Sequence, residues 1–271
     1  MVELNPSTIA GEIEKTGYPL ELRTAAKLER ADGYVAHNLY YVDRDESKGR
    51  EIDLRWLANI RRGPKEGDAA IWVRYCLSIE CKKASKPWVC LTSPHAPYDQ
   101  ELDSVLYKGL PRLTLTQEQL LDASRCHPLF NANRVGRSYF EAFKGEDGEQ
   151  IRMFGALATA VKATLTMHES EFAAASGNSV CFYYPLVVLA GRLFEGRLEG
   201  NDILAEEVGR SVVSYSYASP AYGDSRLLVP IVTIDELDSF VADMDTAHEF
   251  MADIILAAVA RGDYKPKSGA T

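Results

Sequence analysis

No stretch of the chain approaches the roughly 18 consecutive apolar residues of a membrane-spanning helix, so no helical crossing is expected. Met1-Val2-Glu3-Leu4-Asn5-Pro6 carries neither a basic start nor an apolar block, which argues against a secretion signal. Cysteine is scarce. The five residues Cys76, Cys81, Cys90, Cys126 and Cys181 are odd in number, scattered, and form no Cys-x-x-Cys pair. That usage suits a reducing, cytoplasmic setting and excludes a zinc ribbon. There is no Gly-x-Ser-x-Gly elbow, which excludes an α/β-hydrolase, and no Gly-rich loop ending Gly-Lys-Ser/Thr, which excludes a P-loop NTPase. His37, His95, His127, His168 and His248 are isolated and lack metal-ligand spacing. Positive charge is not in excess either. With 30 basic and 39 acidic residues the net charge is −9, which argues against a non-specific nucleic-acid coat. Repeats, low-complexity tracts and clear linkers are missing, so residues 1–271 read as a single elaborated α/β domain.

What is present centres on Arg50 to Lys86. Ile71, Val73, Tyr75, Leu77 and Ile79 alternate with Trp72, Arg74, Cys76 and Ser78, the two-residue period of a half-buried strand. This strand ends in Glu80-Cys81-Lys82. The strand before it, Arg50 to Ala58, carries Asp53 in its middle, with Ile52, Leu54 and Trp56 expected on one face and Glu51, Asp53 and Arg55 on the other. Positions i and i+2 of a strand point the same way, so Glu80 and Lys82 share a face. Pairing the polar faces would bring Asp53, Glu80 and Lys82 together. Two carboxylates at one point suit a hard divalent cation. The bland alternative is a solvated ion cluster on one face of a sheet. Nine basic and five acidic residues fall between Arg50 and Lys86, a local +4 in a chain that otherwise sums to −13. Arg55, Arg61, Arg62, Lys65, Lys83 and Lys86 are therefore candidate phosphate contacts.

Upstream, Gly17-Tyr18-Pro19 restarts the chain, and Pro19 to Ala31 reads as a helix. Glu21 lies with Ala25 and Leu28 on its apolar stripe, with Leu22 and Ala26 alongside. Gly33 to Asp43 reads as a strand apolar on both sides, hence a central one, joined by the polar turn Asp43 to Gly49 to the Asp53 strand as a hairpin.

In this order of elements — helix, strand, Asp-bearing strand, strand ending Glu-x-Lys, further strand at Trp88 to Thr92 — the chain resembles the PD-(D/E)xK nuclease superfamily. The likeness spans about Gly17 to Thr92, with Ile52 where the name-giving proline would stand. The resemblance implies a restriction-endonuclease-like fold: a central mixed sheet flanked by helices, a motif-bearing core at about 17–92, an insertion at about 93–150, and additional strands and a helix at 151–261. It implies Asp53, Glu80, Lys82 and Glu21 as catalytic residues. Mg²⁺, replaceable by Mn²⁺, would be held by Asp53, Glu80 and the Cys81 carbonyl. It further implies hydrolysis of a phosphodiester, with DNA as the expected substrate and RNA left open, and a homodimer or a defence complex as the setting. The rival reading is a non-catalytic nucleic-acid-binding or protein-interaction subunit on the same fold.

The rest of the chain supplies the remaining elements. Pro6 to Lys15 reads as a short helix. Thr116 to Leu121 opens like a capped helix. Gln150 to Glu171 reads as a helix with Phe154, Leu157, Val161 and Leu165 inward, and Val180 to Leu189 as a buried strand turning into a hairpin with Leu193 to Leu198. Strands at Ser211 to Tyr217 and Leu227 to Thr233 precede a helix to Ala260, its start marked by a Thr233/Glu236 capping box. Tyr215, Tyr217 and Tyr222 could stack on bases or simply pack.

Overall fold

Two long apolar strands lie side by side and in parallel at the centre of the molecule. A computed structural model describes residues 5–31, 33–63, 71–94, 105–109, 127–129, 132–143, 151–170 and 179–261. Helices α1 (Pro6–Glu14) and α2 (Tyr18–Leu28) precede strands β1 (Gly33–Asp43), β2 (Lys48–Arg62), β3 (Ile71–Lys83) and β4 (Trp88–Pro94). After β5 (Leu106–Gly109) and β6 (Arg134–Glu141) come helix α3 (Ile151–Ser170) and strands β7 (Ser179–Ala190), β8 (Leu193–Glu199), β9 (Asp202–Glu207), β10 (Arg210–Ser219) and β11 (Gly223–Thr233). Helix α4 (Leu237–Ala260) follows. Among the described residues no helix is long and apolar enough to cross a membrane.

The strands form one mixed sheet in the order β1-β2-β3-β7-β11-β10-β6-β4-β8-β9. β1 pairs with β2, and β2 with β3, antiparallel. β7 lies parallel to β3 over its whole length, from Trp72↔Ser179 to Lys83↔Ala190. Its run of consecutive buried residues follows from burial on both faces. The other edge of β7 is shared: Val180 to Tyr183 pair with β5, and Val187 to Leu189 pair in parallel with β11.

Helices cover both faces. α2 and α4 pack Leu20, Leu28, Phe240, Met244 and Ile255 on Leu54, Trp56, Leu77 and Phe182. α3 covers the opposite face, setting Leu157, Val161 and Leu165 on Val187, Leu189 and Val229. Gly33 permits the first of these layers. A Cβ there would stand 2.2 Å from the Trp56 indole nitrogen, an overlap that would displace a fully buried Trp.

Several expectations are corrected. β1 is the edge of the sheet rather than a central strand. Its apolar residues Tyr34, Tyr40 and Val42 face solvent, so two-sided apolarity did not report two-sided burial. Leu22 and Ala26 of α2 are exposed, and Thr24 takes a buried place instead. Phe154 of α3 is likewise exposed, with Met153 and Ala156 inward. β7 and β8 do not form a hairpin. The Gly191-Arg192 turn carries the chain to β4, where β8 pairs in parallel through Trp88↔Leu193 to Leu91↔Gly196. The strand that flanks the Glu80 strand is β7, while β4 lies beside β6 and β8. Ile234 to Glu236 form a turn ahead of α4. The helix start read at Thr116, the loop with His95, Lys65 and Cys126 lie outside the described residues.

Candidate functional site

The β2–β3 ladder runs from Arg62↔Ile71 to Leu54↔Ile79 and stops there. The next residues on either side are Asp53 and Glu80. The β1–β2 ladder is interrupted at the same level, where the register passes from His37↔Leu54 to Leu39↔Ile52 and leaves Asn38 and Asp53 unpaired. Asn38 has φ +53, a left-handed conformation that Asn tolerates better than most residues. The break rotates β2. Leu54 and Trp56 join the layer under α2 and α4, whereas Ile52 joins Tyr41, Met167 and Tyr183 under α3. Ile52 therefore does not share the Leu54 face, and Asp53 sits where the strand changes sides.

Released from the ladder, Asp53 Oδ2 accepts the backbone N–H of Cys81 at 2.7 Å. This bond fixes the Asp53 carboxylate at the backbone N–H that lies between Glu80 and Lys82 in the chain. Glu80 is 6% exposed. The Lys82 ammonium donates to its Oε1, while the buried Oε2 has no hydrogen-bond partner among the described residues. A buried carboxylate oxygen left unsatisfied is costly. Burial pushes the Glu80 carboxyl up to about 7, opposed by Lys82 and reinforced by Asp53 and Glu21. Asp53 is also raised, by burial above all, with the Cys81 N–H and Lys82 acting against it. Burial alone would lower the Lys82 ammonium, but Glu80 and Asp53 leave it raised.

Glu21 reaches this point from α2. Its carboxyl is raised by burial and by the charges of Asp53 and Glu51. Thr24, three residues on, is fully buried and accepts from the Cys81 thiol at 3.7 Å. The helix is thus seated on the strand that carries the Glu-x-Lys triplet. Glu51 was not singled out from the sequence. It faces Glu21 and Asp53 electrostatically, and the Asn38 amide donates to its Oε1. The acid two residues before Asp53 was visible, but nothing in the letters marked the left-handed Asn opposite.

The basic candidates do not gather in one place. Arg55 is half-buried two residues from Asp53, opposite Ala36 and Ser78. Lys83 lies at the same end of the sheet and donates to the Glu14 carbonyl at the end of α1, 2.9 Å away. Lys86 donates to the Phe143 carbonyl at 2.8 Å. Arg61 is eight residues along β2 from Asp53, about 26 Å at the rise of a strand. Its guanidinium lies over Trp72. Arg62, at the same far end, pairs with Asp253 at 2.8 Å and Glu249 at 3.9 Å on α4. The island of positive charge is therefore an island in sequence, drawn out along the strand in space.

Tyr215 and Tyr222 are buried and take part in packing with Tyr217. His37 is exposed on β1. Among the described residues no three His, Cys, Asp or Glu side chains are grouped as a ready cation cage. Asp53 and Glu80 nevertheless supply hard carboxylate oxygens of the type a divalent cation takes, and Glu80 Oε2 is a buried acceptor without a donor among the described residues. Comparison of the chain with family models, with curated proteins and with solved structures finds no match.

Proposed function

We propose that the chain is a Mg²⁺-dependent nuclease of the restriction-endonuclease-like type that hydrolyses phosphodiester bonds in DNA. The observation that carries this reading is the end of the β2–β3 ladder. Asp53 is freed from strand pairing and held by the Cys81 N–H, directly beside a buried Glu80 with an unsatisfied oxygen and a Lys82 in contact. Bringing a carboxylate from one strand to an acid-x-Lys triplet on the next is what the PD-(D/E)xK likeness requires, and Glu21 arrives from the helix that the same likeness assigns.

Asp53 and Glu80 would hold the cation, with the Cys81 carbonyl as a further oxygen. When bound, Mg²⁺ supplies positive charge at the phosphate and makes water easier to deprotonate. The protein's own groups do the rest. The Cys81 N–H keeps Asp53 in one orientation. Lys82, in contact with Glu80, would orient the attacking water and offset charge growing on the phosphate. Glu21 steers water at the rim. Arg55 and Lys83, at this end of the sheet, are the nearer of the phosphate contacts. Arg61 and Arg62 lie too far along β2 to touch the same phosphate.

The test is cleavage of plasmid DNA by the full chain in Mg²⁺ or Mn²⁺, against Asp53→Ala, Glu80→Ala and Lys82→Ala. Each variant should lose on the order of 100-fold or more in rate. Equal activity in all four proteins would place the chemistry elsewhere. No cleavage by wild type of duplex, single-stranded or RNA substrates would leave a binding subunit as the better reading.

A further inference from the structure

On the far side of β7 from Asp53, strands β6, β8, β9 and β10 and the first turns of α4 enclose a second site. It is a cavity of about 580 Å³, within the roughly 300–1,000 Å³ of small-molecule pockets. Six charged side chains line it: Arg134, Glu195, Arg197, Glu206, Arg210 and Asp243. Four of them cancel. Arg197 pairs with Glu206 at 2.9 Å, and Arg210 pairs with Asp243.

Two charges remain. Arg134 is anchored by uncharged groups only, its Nε to Thr92 Oγ1 at 2.9 Å and its Nη2 to the Thr92 carbonyl at 2.7 Å. Among the described residues it meets no carboxylate. Glu195 accepts one hydrogen bond, from Ser211 Oγ at 2.7 Å, and among the described residues it meets no cation. Both are half-buried, and they form no ion pair with each other. Uncompensated charges of opposite sign in one concave site are expensive singly. A ligand bearing one charge of each sign neutralises both. A simple anion would be repelled by Glu195, and a simple cation by Arg134. Apart from Asn133 and Ser211, the uncharged part of the wall is apolar, including Val208, Val212 and Phe240.

We propose that this cavity binds a zwitterion with an apolar substituent, of the class of an apolar α-amino acid. Its ammonium lies at Glu195, its carboxylate at Arg134, and its side chain against Val208 and Val212. The guanidinium keeps donors for a carboxylate after its two bonds to Thr92, and the fork geometry suits that partner. The site stands on residues separate from the candidate nuclease centre and does not depend on that reading.

The test is calorimetric titration of the full chain with L-phenylalanine and L-leucine, and with N-acetyl-L-phenylalanine and phenethylamine, which each lack one charge. At least one amino acid should bind saturably with Kd below about 1 mM, and the single-charge analogues of phenylalanine about tenfold or more weaker than phenylalanine. Glu195→Gln, which keeps a partner for Ser211, should erase the preference for phenylalanine over its N-acetyl form. Arg134→Gln should erase the preference over phenethylamine. Should Arg134→Gln fail to fold without its Thr92 anchor, the wild-type selectivity and Glu195→Gln decide the matter. No saturable binding up to about 10 mM, or unchanged selectivity in Glu195→Gln, would overturn the proposal.

Discussion

Glu80 is a carboxylate placed against its own stability. Burial and neighbouring acids hold its carboxyl up at about 7, and one oxygen finds no donor among the described residues. Glu80→Gln should therefore stabilise the protein. At pH 8 in a chelator we expect a gain of about 1–2 kcal/mol, or ~2–6 °C in melting temperature, readable by calorimetry. A lower melting temperature would mean that the Lys82 contact outweighs the buried charge. At this scale much of the site could be read from the sequence. Glu80 and Lys82 stood out because an acid-x-Lys triplet closes a long alternating strand, and Glu21 because it interrupts an apolar helical stripe. Glu51 and Asn38 did not, since a residue in a left-handed conformation leaves no periodic trace. Arg61 and Arg62 were misleading in the opposite way. They are close in sequence to Asp53, but an extended strand turns eight residues into ~26 Å.

Among elements, the β1–β2 hairpin is the one whose position the site depends on, and its tip is tied down by charge. Lys162 of α3 binds Asp43 at 2.9 Å and Asp45 at 3.0 Å, and the Tyr217 hydroxyl of β10 donates to Asp45. Asp43 is 3% exposed. Lys162→Met leaves that carboxylate buried with the Asp45 N–H at 3.1 Å and Arg50 at 3.9 Å as its remaining partners among the described residues. A loss of about 3 kcal/mol is expected in urea unfolding. Adding Asp43→Asn should recover part of it, because the stranded charge is then gone. A single variant within about 0.5 kcal/mol of wild type would show the network to be ornamental. The hairpin, β3, β7 and the three longer helices were all legible, because each buries a periodic face or, in β7, a continuous apolar run. β9 was not. Its Asp202-Ile203-Leu204-Ala205-Glu206-Glu207 is exposed throughout, so no burial imposed a pattern. β5 and β6 were missed for want of an apolar run, and the pairing of β4 with β8 because partners a hundred residues apart share no local signal.

For the molecule as a whole, acid sensitivity should come from the core between the sheet and α4. His248 is fully buried and stacks on Tyr75 with ring centroids 4.0 Å apart. A carbonyl can only accept, so its Nδ1 donates to Met244 O at 2.8 Å and its Nε2 takes the Tyr184 hydroxyl at 3.3 Å. That fixes the neutral ring. His127 and Phe182 close around it, and Tyr75 leans on Asp245 at 2.5 Å. Burial lowers His248 to about 4 and holds His127 well down as well, His248 adding to the effect. The folded state thus refuses protons that the unfolded chain accepts from about pH 6.5 downward. The contribution of His248 to stability should be complete above that pH and fade by on the order of 3 kcal/mol as pH falls through 4. His248→Phe should flatten this slope in pH-dependent melts while lowering the neutral-pH baseline, since Tyr184 loses its acceptor. An unchanged slope would assign acid unfolding to other groups. The central place of β7 bears on synthesis too. β3 has an apolar edge that residues 179–190 close. Until they leave the ribosome β1, β2 and β3 have no finished sheet to settle into, so the nascent chain must wait, exposed, until β7 has been made.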